Sequence, residues 1–337
     1  MPKHDIVVVG ASTGGVDALT ELVVGLPAHL PAAVFVVLHV SPSVRSQLPT
    51  ILSQAGALPA VMAHDGDEIQ CGRSAIAPPN RHLLLTQERV RVVSGPGENY
   101  ARPAVDPLFR SAALAFGPRV IGVVLTGALD DGASGLVAIK RQGGLAVVQD
   151  PETAVAQGMP RAALTYVEAD VCLPIAELAS KLAILTQLEA PPPDKRQDTT
   201  DLERELKIAG LDLSVIEQVQ RNGAPVAQKC PECHRPLWEV PDDGPRRYRC
   251  QVGHAFTAEA LNRGLTNVTE EALWSGLKTL DESAALHARL AAKAGADGDR
   301  WLERRFGELA AQSRARADRM RHKLGYVAAM DGPDAHG

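Results

Sequence analysis

Four continuous apolar runs punctuate the first half of the chain: Ile6-Val-Val-Val9, Val34-Phe-Val-Val-Leu38, Val120-Ile-Gly-Val-Val-Leu125 and Leu145-Ala-Val-Val148. Each is short, rich in β-branched residues and without polar alternation, the pattern of a strand buried on both faces. Between them, Val16 to Leu26 and Ala133 to Gln142 repeat apolar residues at helical spacing. Strand and helix alternating in this way predict an α/β domain with a doubly wound, mostly parallel sheet. The more polar stretch from Pro59 to Val93 predicts short strands and turns, with Pro78-Pro-Asn80 as a loop.

The texture changes after Leu188. Ala190-Pro-Pro-Pro-Asp-Lys-Arg-Gln-Asp-Thr-Thr200 reads as a linker, stiffened by proline and kept solvated by charge. A small cysteine-bearing segment follows, and then charged helical sequence. Leu273, Leu277, Leu280 and Ala284 share one helical face, and Leu302, Phe306, Leu309, Met320 and Leu324 suit a second helix. Gly295-Ala-Asp-Gly298 supplies the turn of an αα-hairpin. The expected division is an α/β domain over 1–188, a linker with short helical segments over 189–228, a metal-binding module over 229–256, a helical hairpin over 257–327 and a flexible tail over 328–337.

Composition narrows the class. With 337 residues and 45% hydrophobic content, the chain has enough material for more than one domain. A formal net charge of -5 gives no bulk electrostatic case for nucleic acid. No run of 18 apolar residues and no charged-then-apolar leader is present, so the expectation is a cytoplasmic protein that is not membrane-embedded. Five cysteines, three of them clustered, suit a compartment that keeps thiols reduced.

The chemistry begins at Gly10-Ala-Ser12-Thr-Gly14-Gly15, a turn between a strand and a helix. In a dinucleotide site the second motif glycine would stand where Ser12 does, and the next strand would end in an acidic residue rather than His39. In a hydrolase, G-x-S-x-G holds a serine hydroxyl exposed at a strand's carboxyl end, with N–H groups of the incoming helix facing a developing oxyanion. His39 follows the second strand, and Asp131 follows the strand ending at Leu125. Parallel strands would bring Ser12, His39 and Asp131 to one sheet edge, in an order unlike that of the common α/β-hydrolases. The plainer alternatives are an N-capping Ser12, a structural His39 and a turn-forming Asp131.

Further segments carry a family resemblance: Ala77-Pro-Pro-Asn-Arg-His82, Arg102-Pro-Ala-Val-Asp106 with Leu108-Phe-Arg110, Asp131-Gly-Ala133 and Gly158-Met-Pro160. With the Ser12 turn they span residues 5 to 188, which resembles the catalytic domain of the bacterial chemotaxis protein-glutamate methylesterases. The resemblance implies hydrolysis of glutamyl γ-methyl esters on methyl-accepting chemotaxis receptors, releasing methanol, with glutamine deamidation as a related activity. It implies Ser12 as nucleophile, His39 as general base and Asp131 as the residue orienting it, with no cofactor for catalysis. Thr13, Gly14 and Ala128 are the oxyanion- or substrate-adjacent candidates. The family's T-G-M-G-x-D-G loop reads Thr126-Gly-Ala-Leu-Asp-Asp-Gly132 here, so Ala128 and Leu129 replace Met and Gly, and Asp130 is the alternative to Asp131 in the orienting role. The segment from Arg102 to Arg110 is expected to contact the substrate helix, with a structural ion pair as the alternative for Arg110 and a structural role for Asp106. Members with an N-terminal receiver domain differ from this chain, whose first strand begins by Ile6. The other class of function is a non-enzymatic adaptor that binds receptor or signalling proteins.

Cys230-Pro-Glu-Cys233, sixteen residues, then Cys250-Gln-Val-Gly-His254 give four ligands suited to a tetrahedral structural Zn²⁺, with His234 a bystander. The plainer reading is a module that has lost its metal. The hairpin beyond carries Arg314, Arg316, Arg319, Arg321 and Lys323, a solvated face or a docking element for a regulatory protein.

Overall fold

A computed structural model of the chain describes residues 2–43, 46–194, 197–210, 212, 215, 224–240 and 244–330, with the backbone only for 325–330. It forms two compact units, Met1–Asn262 and Arg263–Gly337.

The first unit is built on a seven-stranded parallel sheet of order β3-β4-β2-β1-β7-β8-β9. Its strands are β1 (Ile6–Ala11), β2 (Ala33–Leu38), β3 (Ala60–Met62), β4 (Ser74–Ile76), β7 (Val120–Val124), β8 (Leu145–Gln149) and β9 (Val171–Leu173). A separate hairpin, β5 (His82–Leu85) with β6 (Val90–Val93), fills the polar stretch between β4 and the next helix. Residues of β1 alternate between two cores, which explains its unbroken apolar run. Ile6 and Val8 pack with α3 (Val105–Phe116), α4 (Ala133–Arg141) and α5 (Gly158–Tyr166). Val7 and Val9 pack with α1 (Gly15–Val24), α2 (Leu48–Ala55) and α6 (Ile175–Leu185) on the opposite face. The sheet is therefore doubly wound, as the apolar pattern requires.

The chain grows outward from β1 in one direction through β2, then returns to add β7 on its other side. That reversal opens a crevice at the carboxyl ends of β2, β1 and β7, where open α/β sheets place their sites.

The 189–228 segment does more than connect. Within it, α7 (Thr200–Ala209) buries Glu205, Ile208 and Ala209, and Ala190 N–H is tied to Pro2 O at 2.8 Å. The cysteine module is a four-stranded antiparallel sheet of β10 (Ala224–Lys229), β11 (Pro236–Val240), β12 (Arg247–Cys250) and β13 (Ala255–Thr257). It belongs to the first compact unit, Met1–Asn262.

Two long helices follow, α8 (Ala258–Ala296) and α9 (Arg300–Met330), joined at Gly298, whose φ is 81°. Within the second unit Leu277, Ala317 and Leu324 form the buried seam with Leu273, Leu280 and Met320 against it, and Arg321 grips Asp281 with both contacts at 2.6 Å. Among the described residues no helix is long and apolar enough to cross a membrane. From 331 onward the expected tail lies outside the described residues.

Candidate active site and Cys/His cluster

Three adjacent strand ends supply the site. Ser12 follows β1, with its N–H donating to Thr126 O at 2.9 Å and its carbonyl accepting from Gly15 N–H at 2.8 Å. Gly14 turns the chain into α1 at φ 74°, and a Cβ there would lie 2.7 Å from Val155 Cβ, so only glycine fits. His39 sits just beyond β2, its N–H donating to Ala11 O at 3.1 Å. Asp131 lies in the loop leaving β7.

The three side chains form one hydrogen-bonded chain. Ser12 Oγ is 3.1 Å from His39 Nδ1, and His39 Nε2 is 2.7 Å from Asp131 Oδ2. With Nε2–H donating to the carboxylate, Nδ1 presents its lone pair to the serine hydroxyl. The ring faces its partners in the opposite sense to the trypsin-like proteases while keeping the same direction of proton transfer. Ser12 is half-buried and the imidazole 20% exposed, whereas Asp131 is buried at 2%.

Asp131 is held by more than His39. Val105 N–H donates to Oδ2 at 2.7 Å, Asn99 Nδ2 to Oδ1 at 3.2 Å and Asp106 N–H to Oδ1 at 3.3 Å. Val105 and Asp106 open α3, so the positive end of that helix faces the carboxylate. Burial pushes the Asp131 carboxyl up, but the His39, Val105 and Asn99 bonds outweigh it and hold it at about 2. Asp106 is structural: its Oδ1 accepts from Gly132 N–H at 3.1 Å and Gly135 N–H at 2.7 Å, capping α4. Burial, and then Asp131 beside it, push the Asp106 carboxyl well above its usual range.

The loops around Ser12 are stapled together. Thr126 Oγ1 donates to Thr13 O at 2.9 Å and accepts from Ala156 N–H at 2.9 Å, while Thr126 N–H donates to Gln149 Oε1 at 2.9 Å. At Gly127 a Cβ would collide with Met159 and come within 2.9 Å of Ser12 Cβ, so this loop passes against the serine only as glycine. Ala128 is exposed and Leu129 half-buried. Leu129 adopts φ 60°, a conformation suited to the glycine of the resembled loop and costing leucine roughly 1 kcal/mol.

His39 is bonded by Asp131 and not by Asp130, which accepts from Thr257 Oγ1 at 2.7 Å. Burial pushes its carboxyl up to about 7, against the lowering effect of the Thr257 bond. A carboxyl raised on folding is protonated in the native state while the unfolded chain has already released its proton. Stability is therefore lost as pH rises from about 4 towards 7. Asp130→Asn is expected to match the wild type near pH 4 and to exceed it by about 3 kcal/mol at pH 6, in denaturation midpoints measured at both values. Parallel midpoints at the two pH values would disprove it.

A cleft of about 470 Å³ opens beside His39, lined by Asn80, Tyr100, Arg102, Glu232 and His254. Arg102 is fixed at its wall by Asn80 Oδ1 at 2.6 and 2.8 Å and by Gly95 O at 2.8 Å. Arg110 is not in the cleft. It is 4% exposed and meets Glu98 Oε2 at 2.6 Å. Of the two fates expected for Arg110, the structural ion pair is the one observed.

Glu232 and His254 belong to the cysteine module, so this module forms one wall of the cleft. Cys230, Cys233, Cys250 and His254 place their ligand atoms within 4.8 Å of one another, a set able to hold a metal ion. Cys230 Sγ is 3.6 Å from His254 Nδ1, and Cys233 Sγ is 3.6 Å from Cys250 Sγ. A tetrahedral zinc with ordinary bond lengths requires about 3.6 Å between sulfur and nitrogen and about 3.8 Å between sulfurs, so the donors fit that ion. His254 Nε2 lies 3.2 Å from Glu232 Oε2, the carboxylate–imidazole support common behind metal-bound histidine. His234 lies in the first knuckle at φ 60°, its N–H donating to Cys230 O.

Sequence reasoning missed Asn99, Thr257 and Glu205. Asn99 and Thr257 are joined by Thr257 N–H to Asn99 Oδ1 at 2.9 Å across 158 positions, a pairing with no local signal.

A family model described as CheB methylesterase matches residues 7–182. The chain is 41% identical over 185 residues to protein-glutamate methylesterase/protein-glutamine glutaminase 2 of Anaeromyxobacter dehalogenans, covering 55% of this chain and 54% of that one. It is 36% identical over 186 residues to a putative protein-glutamate methylesterase/protein-glutamine glutaminase of Leptospira interrogans, covering 55% of this chain and 96% of that one. The crystal structure of the Thermotoga maritima CheB methylesterase catalytic domain superposes with a TM-score of 0.53 at 34% identity, over 54% of this chain and 98% of that domain. Against the Anaeromyxobacter and similar curated relatives, the chain spans about half of their length. The matched region ends before α7 and the cysteine module.

Proposed function

Because the chain belongs to the CheB methylesterase family, we propose that it hydrolyses γ-methyl esters of protein glutamyl side chains through Ser12, His39 and Asp131. The observation that carries this reading is the hydrogen-bonded chain of 3.1 and 2.7 Å from the serine hydroxyl to a buried carboxylate. Ser12 Oγ attacks the ester carbonyl carbon while His39 Nδ1 takes its proton. The backbone amides of Thr13 and Gly14, at the entry to α1, are the proposed donors to the oxyanion. Collapse of the tetrahedral intermediate breaks the bond to methoxide, which leaves as methanol with the proton from His39. Water, deprotonated by the same nitrogen, then cleaves the acyl-enzyme to the free glutamate and restores Ser12. Asp131 keeps the Nε2–H tautomer and stabilises the transient imidazolium.

A glutaminyl side chain fits the same scheme with ammonia as leaving group, in keeping with the double name of the relatives. The partners this reading requires are methyl-accepting chemotaxis receptors, met in the cytoplasm. The test is incubation of the full chain with receptor fragments bearing methyl-labelled glutamyl esters. Labelled methanol is the expected product, and none above background would remove the reading.

The Cys230, Cys233, Cys250 and His254 set is proposed to hold a structural Zn²⁺, supported by the fit of its spacings to a tetrahedral ion. With four protein ligands no position is left for substrate. Metal analysis of protein purified without chelator is expected to find close to one equivalent of zinc. Less than about a tenth would exclude the assignment.

A further inference from the structure

The first strand beyond the cysteine cluster runs straight to the triad. His254 is followed immediately by β13, whose Ala255 O accepts from Asn99 N–H at 2.9 Å and whose Ala255 N–H donates to Gly97 O at 3.2 Å. Asn99 and the next residue, Tyr100, both hold left-handed backbone, at φ 51° and 62°. They are the two central residues of a tight turn that Glu98 and Ala101 close, Ala101 N–H donating to Glu98 O at 2.8 Å and Glu98 N–H to Ala101 O at 3.2 Å, and asparagine suits that backbone. The turn lies against β13, with the Tyr100 ring packed on Phe256 at 4.9 Å between centroids.

The amide of Asn99 is oriented by the same strand. Thr257 N–H is a donor, so the Asn99 atom 2.9 Å from it must be the oxygen Oδ1. The nitrogen is thereby turned towards Asp131 Oδ1, at 3.2 Å. Thr257 also grips Asp130 through its hydroxyl at 2.7 Å, so one buried residue of the module is bonded both to Asn99 and to the residue that precedes Asp131.

We propose that Asn99 is a positioning residue for the Ser12–His39–Asp131 group, and that metal binding at the Cys/His cluster sets it through β13. The inference rests on the acyl-transfer reading of that group. Pinning His254 fixes the start of β13, β13 holds Asn99 through its backbone N–H and its amide oxygen, and Asn99 steadies the carboxylate that orients His39. Zinc then acts on hydrolysis without approaching the substrate's reacting atoms.

The experiment measures kcat and KM of the full chain on a methyl-esterified glutamyl peptide, with Zn²⁺ bound and after chelator treatment. Asn99→Gly keeps a residue at ease near φ 51° and deletes the amide. Asn99→Asp keeps the shape and the turn but sets a second carboxylate against Asp131. With zinc bound, Asn99→Gly is expected to lower kcat about 10-fold and to leave KM within about twofold, and Asn99→Asp to lower kcat further. Chelation should lower wild-type kcat about 10-fold but change that of Asn99→Gly by less than about twofold, because the link is already cut. A readout independent of turnover accompanies these: cobalt-substituted Asn99→Gly should show the same thiolate-to-metal absorption as the wild type, so the module itself is intact.

An unchanged kcat in Asn99→Gly, full recovery in Asn99→Asp, losses that multiply, or a chain that retains no zinc would each overturn the inference. Ser12-dependent turnover that ignores both Asn99 and zinc sinks this inference alone. Turnover absent from the wild type in every form sinks the acyl-transfer reading, and this inference with it.

Discussion

Replacing Ser12 by alanine is expected to lower kcat for methanol release by at least about 10⁴-fold while leaving KM within a few fold. The substitution removes one oxygen from a half-buried position and keeps the turn, because the strand-to-helix geometry depends on Gly14 and on backbone bonds rather than on Oγ. What remains is a cleft that binds substrate, with a water molecule as the best available nucleophile. His39→Ala should fall comparably, and the double variant no further than either single one, since nucleophile and base act as a unit. Asp131→Asn should cost about as much, because an amide opposite His39 Nε2 no longer favours the tautomer that leaves Nδ1 free. Single-turnover assays on the labelled ester check all four variants. Residual turnover above about a tenth of wild type in Ser12→Ala would remove the nucleophile assignment.

The sequence made the α/β domain and the positions of Ser12, His39 and Asp131 visible for one reason. Strands buried on both faces are written as continuous β-branched runs, and a parallel sheet makes each run's last residue a point on one edge. Everything that depends on this regularity is legible in the order of residues alone. The supports of the site are not, because they depend on pairings between distant polar residues. Asn99 stands in an unremarkable Gly97-Glu-Asn-Tyr100 turn, and its partner Thr257 follows the cysteine module. Leu129 is a different case. Its departure from the family glycine is legible, whereas its retention of φ 60° is a fact of the fold. The same contrast applies to the module. Its ligand spacing announces a metal site, but nothing in the sequence places Glu232 and His254 in the wall of the cleft.

Glu205 shows most clearly why the region after Leu188 resists reading, and it carries the second large prediction. In Asp201-Leu-Glu-Arg-Glu205-Leu-Lys the charges look like the solvated face of a short helix. In the fold Glu205 is 6% exposed, and its Oε2 meets Arg247 Nη2 at 2.6 Å and Arg249 Nη2 at 2.5 Å, with Arg110 Nη2 at 3.6 Å. Glu98 completes the cluster, facing Arg110 at 2.6 Å. The group joins α7, α3 and the module strand β12. Burial alone would raise the Glu205 carboxyl, but Arg247, Arg249 and Arg110 outweigh it and hold it well below the usual carboxylate range. Its contribution to stability is therefore complete at neutral pH and is lost only as pH falls below the ordinary carboxylate value. Glu205→Ala leaves buried guanidinium groups, Arg249 at 2% exposure among them, with one carboxylate where there were two. Removing one partner of a buried ion cluster costs about 3–5 kcal/mol, several times the value of a surface pair. Urea midpoints at pH 7 should show that loss for Glu205→Ala and no more than about 1 kcal/mol for Glu203→Ala, an exposed neighbour on the same helix. Because the cluster holds β12, and β12 pairs with β13, the variant loaded with Zn²⁺ should also release it to a competing chelator faster than the wild type loaded in the same way. Equal midpoints for the two glutamate variants would mean that α7 is the tether its sequence suggests and that the cluster contributes nothing to holding the module in place.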